Sequence, residues 1–185
     1  MDLDKAIHSR TSVKKFKSKK PDWRDIIECI DATRYSPKAG KNFTLKFILV
    51  DDKNKIKKIT EACQQDFIAD ASYVLVVISD HSRLKNSFGN EFGKKYGKQQ
   101  AGAAIENFLL KITEKNLSTC WIGFFTEKQI KRELKIPESS NVEAIFPIGF
   151  GFGNQKKKNP IDLDNILYFN QYGNVKMKSP KGFVD

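Results

Sequence analysis

Gln99-Gln-Ala-Gly-Ala-Ala-Ile-Glu-Asn-Phe-Leu-Leu-Lys-Ile-Thr-Glu114 is the stretch on which the fold turns. Its apolar residues Ala101, Ala104, Ile105, Phe108, Leu109 and Ile112 recur at three- and four-residue steps and trace a wide stripe along a helix. So broad a stripe predicts a central core helix. Leu117–Gly123 follows as a strand. Upstream, the Val-rich run Tyr73–Ser79 reads as a strand buried on both faces, and Leu45–Val50 as another. Val142–Phe150 adds a further strand, ended by Gly149, Gly151 and Gly153. Pro21-Asp22 opens a helix with Trp23, Ile26, Ile27 and Ile30 at helical spacing, ending near Tyr35-Ser36-Pro37. A short helix covers Ile56–Cys63, and Thr126 with Gln129 form a capping box for a helix carrying Ile130 and Leu134. Gly89, Gly93 and Gly97, mixed with charges, predict a mobile or irregular segment before the core helix. The tail Pro160–Asp185 contains one strand-like piece, Ile166–Asn170, and otherwise reads as an extended arm that packs on something, a partner subunit being one candidate. The elements alternate without clean βαβ spacing, which predicts an α+β layer fold. With no repeat, low-complexity tract or obvious linker, residues 1–185 are expected to form one domain.

Composition narrows the function classes. Hydrophobic residues make up 39% and aromatics 11% of the 185 residues, as expected of a globular chain. The longest apolar runs, Tyr73–Ile78 and Ile145–Phe152, are too short to span a bilayer as helices. The opening Met-Asp-Leu-Asp-Lys has no apolar leader, so a cytoplasmic setting is expected. Cys29, Cys63 and Cys120 are widely spaced, and with only His8 and His81 the chain suggests neither a disulfide framework nor a histidine-built metal centre. The net charge of +11 is spread along the chain, nearly all as Lys and mixed with Asp and Glu. Generic solvation explains it better than a nucleic-acid footprint, since no zinc-finger spacing or RNP-like aromatic motif accompanies it.

Arg10, Ser12 and Lys14 alternate in Ala6-Ile-His-Ser-Arg-Thr-Ser-Val-Lys-Lys-Phe16. In an extended chain all three point to one side. A guanidinium, a hydroxyl and an ammonium on one face suit a small phosphorylated ligand, although a solvated basic strand has the same pattern. Arg10 is one of five arginines among 33 basic residues, so it stands out more than another lysine would.

Four segments, in order, resemble the nitroreductase family of FMN-dependent NAD(P)H oxidoreductases. Arg10-Thr-Ser-Val-Lys-Lys-Phe16 resembles the family's opening Arg-x-Ser-x-Arg/Lys-x-Phe. Tyr35-Ser-Pro-Lys-Ala-Gly40 is similar to its Ala-Pro-Ser-Ala-Gly-Asn loop. Leu117-Ser-Thr-Cys-Trp-Ile-Gly-Phe124, after the helix with Ala103-Ala-Ile-Glu-Asn-Phe-Leu-Leu110, is similar to its Gly-Leu-Gly-Thr-Cys-Trp-Ile-Gly strand. Ile148-Gly-Phe-Gly151 and Lys156-Lys-Lys-Asn-Pro160 resemble a Gly-Tyr-Pro segment and a Lys-x-Arg-x-Pro turn.

The resemblance implies a mainly antiparallel central sheet flanked by helices, in an intertwined homodimer with an extended C-terminal arm and FMN at the subunit interface. Arg10, Thr11 and Ser12 would hold the flavin phosphate and ribityl oxygens. Lys14 would lie where negative charge gathers on the reduced ring, favouring acceptance of a hydride. Ile122, Gly123 and Phe124 would pass the flavin edge, donating a backbone N–H. Gln64 or Gln65 would supply an amide at the pyrimidine, and Lys156 and Lys158 would close the phosphate side. Ser36, Pro37, Lys38, Ala39 and Gly40 would contact the flavin of the other subunit. Here the chain departs from its relatives. After Gly40 the family's Asn-x-Gln-Pro-Trp is replaced by Lys41-Asn-Phe-Thr-Leu45, with Asn42 serving the Asn role if the loop has shifted by one residue, and Lys38 stands for a small polar residue. Ser87–Gly97 would form a variable lid.

The function expected is ping-pong hydride transfer from NADH or NADPH, through FMN, to an electron-poor acceptor such as a nitroaromatic or a quinone. Within the same fold a dehalogenase or flavin-breakdown enzyme is an alternative. A different class is a non-enzymatic basic module on nucleic acid, or a fold that has lost its cofactor. Cys120 sits in an apolar strand without a neighbouring His or Asp, so an inert thiol is expected there. Glu106 and Asn107 read as a helical surface pair.

Overall fold

The computed structural model describes residues 1–152 and 159–177. The chain divides into two compact units, Met1–Gln155 and Lys156–Asp185. In the larger unit, strands β1 (Leu45–Val50), β2 (Tyr73–Ser79), β3 (Ser118–Thr119) and β4 (Asn141–Gly149) form one sheet in the order β1-β2-β4-β3, every adjacent pair antiparallel. The helices are α1 (Leu3–Ser9), α2 (Trp23–Asp31), α3 (Lys53–Cys63), α4 (Ser82–Glu114) and α5 (Glu127–Leu134).

Strand periodicity sorts the core into two layers. Leu45, Tyr73, Leu75, Val77, Ala144, Phe146 and Ile148 face α2 and α4. Val50, Val74, Val76, Ile78, Val142 and Ile145 face α3 and α5. Both faces of β2 are therefore covered, which is why its sequence is apolar without alternation. The predicted stripe of α4 packs on the first face, with Phe108 edge-on to Phe146 at 5.4 Å between ring centres. Asp2, Asp22 and Asp52 cap α1, α2 and α3, each side chain accepting a first-turn N–H.

Four expectations need correction. The Gly89–Gly97 region is helical. Gly89, at φ +79°, breaks α4 into a short arm, residues 82–88, and a long arm, residues 90–114. The arms fold back on each other because Gly93 and Gly97 carry no side chain. A Cβ on Gly93 would sit 2.5 Å from the Lys85 nitrogen, and one on Gly97 would enter the His81 ring. Leu117–Gly123 is a strand only over Ser118–Thr119, with a further single bridge between Ile122 and Ile145. Thr126 starts α5 without a side-chain bond. Gln129 donates its own backbone N–H to the Thr126 carbonyl at 3.0 Å, so no capping box forms. Ile166–Asn170 is not a strand. The described part of the smaller unit holds a 3-10 turn at Leu163–Asn165, a pairing of Phe169 with Asn174, and the rings of Tyr168 and Tyr172 at 4.8 Å.

Gly93→Ala should cost about 2–3 kcal/mol of stability, since backbone rather than a flexible side chain blocks the methyl group. Gly102→Ala, with nothing within 4 Å of its Cβ position, should instead gain about 0.5–1 kcal/mol from helix propensity. Urea unfolding of the two variants checks both signs.

Candidate functional site

The alternating basic stretch is held by the end of the sheet. Arg10 is the C-terminal cap of α1 and leaves the helix in an extended conformation. Ser12 then forms a parallel bridge with Thr119, the Val13 N–H donates to the Thr119 carbonyl at 2.9 Å, and Phe16 bridges Gly151. Gly149 and Gly151 make room for this passage: a Cβ on the first would lie 3.0 Å from the Phe16 ring, and one on the second 2.6 Å from Ser118 Oγ. With Val13 and Phe16 buried beneath it, the stretch turns Ser12 and Lys14 outward. Arg10 Nε lies 3.8 Å from Oε1 of the exposed Glu106 on α4, a loose ion pair that reaches the basic stretch from the helix surface. Asn107 is likewise engaged, its Nδ2 donating to the Ala32 carbonyl at 3.2 Å.

Two further segments join this edge. Lys14 Nζ stands 5.4 Å from the centre of the Phe67 ring, in the 3-10 turn Asp66–Asp70 that follows Gln64 and Gln65. Gln64 is exposed, in the left-handed conformation (φ +54°) that ends α3. Two residues before it, the Ala62 carbonyl accepts the Thr126 N–H at 2.8 Å, which brings the Ile122–Phe125 segment to the same corner. Ile122 is buried, and its N–H is spent on the Ile145 carbonyl at 2.9 Å. Gly123 is exposed, and among the described residues none accepts its N–H. A Cβ there would find only Trp121 Nε1, at 4.0 Å. The donor expected from this segment is therefore that of Gly123, not of Ile122. Thr119 adds a buried hydroxyl without a hydrogen-bond partner.

The Trp121 ring rests edge-on against Phe146, 5.6 Å between centres, with 42% of the residue exposed, and Phe124 is 70% exposed. The alternation of buried Cys120 and Ile122 with Trp121 is the sequence signal of that exposure. Cys120 is itself buried, with Sγ 3.9 Å from the Trp121 carbonyl, and burial pushes the Cys29 and Cys63 thiols up to about 12.

The loop Ser36–Asn42 forms a second group. Within one chain it packs on α4. Ser36 is buried with its hydroxyl unpartnered. Pro37 and Ala39 line a recess of about 380 Å³ with Tyr96, Gln99 and Ala103. Lys38 Nζ donates to the Arg34 carbonyl at 3.1 Å, and Gly40 takes φ +55° beneath the Phe88 ring. The residue that fixes the loop escaped the sequence reading. Buried Gln100 accepts from the Thr44 N–H at 2.8 Å and the Thr44 hydroxyl at 2.7 Å, and donates to the Asn42 carbonyl at 2.9 Å. Asn42 is thereby held through its backbone. Lys156 and Lys158 lie outside the described residues.

Arg10, Ser12, Lys14 and the Gly123 N–H make one edge rich in donors and positive charge, beside the exposed face of Trp121. That donor set fits a phosphorylated ligand with a planar, hydrogen-bonding ring. The open space at the Gly123 Cβ position and the unpartnered, buried Thr119 hydroxyl are compatible with such a ligand.

The family model described as the nitroreductase family matches residues 7–71 and 59–150. A curated protein of Archaeoglobus fulgidus, provisionally named NADH dehydrogenase/NAD(P)H nitroreductase, is 26% identical over 151 residues, or 79% of this chain and 83% of that protein. The crystal structure of a nitroreductase family protein from Clostridium novyi NT is 27% identical with a TM-score of 0.76, covering 94% of this chain and 96% of that one. The structure of an FMN-dependent nitroreductase from Clostridium difficile R20291 is 26% identical with a TM-score of 0.76, covering 90% and 98%.

Gln100→Leu should leave the Thr44 N–H and the Asn42 carbonyl without partners and destabilise the chain by about 2–4 kcal/mol, measured by urea unfolding.

Proposed function

The chain belongs to the nitroreductase family, and from that premise we propose that it is an FMN-dependent oxidoreductase. It would carry a hydride from NADH or NADPH to an electron-poor acceptor, a nitroaromatic or a quinone, with donor and acceptor using the site in turn. The observation that carries this reading is the edge shared by Arg10, Ser12 and Lys14 with the unbonded N–H of Gly123. Bound FMN would supply the hydride chemistry, accepting two electrons and a proton equivalent at its ring.

The chain's own residues bind, orient and tune. Arg10, loosely paired with Glu106, and the hydroxyls of Thr11 and Ser12 take the phosphate and ribityl end. Lys14 provides a cation where the reduced ring accumulates negative charge, and Gln64 provides an amide at the same edge. Gly123 donates its N–H to the ring, while Ile122 and Phe124 flank it and Trp121 offers an aromatic face. The Ser36–Gly40 loop and Asn42 serve the site of a second copy of the chain, so the active form is a homodimer with FMN at its interface. An apolar groove of about 420 Å³, lined by Met1, Leu3, Ala6, Ala32, Tyr35 and Leu110, supports self-association on the α1–α4 side. The whole chain acts as one FMN-binding domain. Among the described residues no helix is long and apolar enough to cross a membrane, and a cytoplasmic setting is proposed.

The test is the visible spectrum of the purified protein before and after adding FMN and desalting. Retained flavin bands that bleach with NADH or NADPH are expected, and a colourless protein that refuses FMN would overturn the proposal. Arg10→Ala should weaken FMN binding by roughly tenfold or more, read by titration of flavin fluorescence. Lys14→Ala should lower the reduction potential of the bound flavin, read by dye equilibration.

A further inference from the structure

The larger unit contains a buried ionic cluster outside the site described above. In β4, Val142 pairs with Ile78 and Ala144 with Val77, so Glu143 is an extra residue without a partner on β2. This bulge breaks the strand's alternation. Val142 and Ile145 both face α3 and α5, and Glu143 turns, like Ala144, to the α4 side. Its side chain is only 5% exposed. Ser79 Oγ at the end of β2 donates to Oε1 at 2.5 Å, and Lys98 Nζ donates to Oε2 at 2.7 Å. His81 Nε2, buried and without a hydrogen bond, faces Oε1 at 3.5 Å.

These partners are the two open ends of one hairpin. His81 immediately precedes the short arm of α4, and Lys98 lies on the long arm one residue beyond Gly97, against which the His81 ring packs. At the closed end, Phe88, Phe92 and Tyr96 form an aromatic group, with Phe88 5.2 Å and Phe92 6.0 Å from Tyr96 between ring centres. A Cβ on Gly40 would lie 3.1 Å from the Phe88 ring, so the ring sits close over that glycine, and Tyr96 lines the recess beside Pro37 and Ala39. Two glycines let the arms touch, but neither supplies an attraction. The bonded attraction at the open end runs to Glu143 from Lys98 on the long arm and from Ser79 at the end of β2. His81, whose pKa burial lowers, packs beside the carboxylate as a neighbour without a hydrogen bond.

We propose that Glu143 is a positioning residue: its carboxylate ties Lys98 at the base of the 82–97 hairpin to the Ser79 end of β2, beside His81, and so sets the aromatic group of the hairpin against the Ser36–Asn42 loop, which in the function proposed above serves the site of a second copy. The clamp stands on the geometry alone. Its link to the acceptor rests on the function proposed above. A buried carboxylate deprived of its cation, or a buried pair deprived of its carboxylate, is destabilised far more than an exposed pair. Lys98 and His81 flank the hairpin and Ser79 is the last residue of β2, so the loss falls on the base of the hairpin, while the rest of β2 keeps its ladder bonds.

The test uses the purified full-length protein loaded with FMN, as Glu143→Gln and, separately, Lys98→Met. The second removes a largely exposed side chain and keeps the experiment decisive if the first fails to fold. Amide hydrogen exchange should quicken by roughly tenfold or more across residues 82–97 while β2, β4 and residues 99–114 keep their protection. The KM for a quinone probe, 1,4-benzoquinone, should rise severalfold at unchanged FMN affinity, with kcat within about twofold, as expected when positioning rather than chemistry is disturbed. The double variant should be no worse than Glu143→Gln alone. Hairpin exchange equal to wild type, or faster exchange spread evenly over the sheet, would overturn the clamp. Faster hairpin exchange with an unchanged KM would overturn its role in acceptor binding. Failure of the wild-type protein to bind FMN would overturn the enzymatic reading instead, and the exchange data on the unloaded variants would still decide the clamp.

Discussion

The packing of the long arm of α4 on the sheet is the constraint from which the site geometry descends. Phe108, Ala104 and Ile105 seat the arm against Leu75, Phe146 and Ile148, burying large side chains that each contribute about 1.5–3 kcal/mol. Once that interface is fixed, the helix works as a rail. Lys98 reaches the bulge in β4, Gln100 holds the Asn42–Thr44 turn, Glu106 faces Arg10, and Asn107 ties down the turn after α2. Four polar side chains on one helix thus set the positions of four separate segments. The rise of about 1.5 Å per residue spaces their attachment points over roughly 14 Å.

The polar groups fall into two kinds. Gln100 and Asn107 are neutral and hydrogen-bonded to backbone, Gln100 through both ends of its amide and Asn107 through its Nδ2. Arg10 and Lys14 are charged but only loosely engaged, one by a carboxylate at 3.8 Å and the other by an aromatic face. Groups of the first kind would lose stability if redirected to a ligand. Groups of the second kind can exchange a weak partner for a phosphate or a reduced ring at little cost, because exposed ion pairs and cation–π contacts are each worth about 1 kcal/mol or less.

Much of this was legible in the sequence. The α4 stripe, the apolar run of β2 and the Arg10–Phe16 motif each carry a pattern of fixed period or order, and each appears where it was expected. The misses share a cause. Gly93 and Gly97 look like disorder in one dimension, because the neighbours that require them, Lys85 and His81, lie across a turn of the chain. Glu143 looks like a solvent-facing strand residue until a bulge reverses its face. Gln100 sits among apolar neighbours on the core stripe, and only the fold reveals the backbone groups it serves. Thr126 and Gln129 have the spacing of a capping box, but backbone bonding prevailed over side-chain bonding there. Local sequence encodes period; it does not encode which distant backbone comes close.

The path of residues 12–17 has a consequence for how the chain acquires its shape. Ser12 pairs with Thr119, and Phe16 with Gly151, across more than a hundred residues of intervening chain. Closing such long loops is the slow part of folding. The candidate ligand edge is therefore among the last parts of the larger unit to form. On the ribosome, a chain that has not yet presented Gly151 can have a helix, a hairpin and most of a sheet, but not the edge that Arg10, Ser12 and Lys14 occupy. Loading of any ligand at that edge then requires the chain to have been made at least through Gly151, and a translational stop before β4 yields a protein without the partner of Phe16.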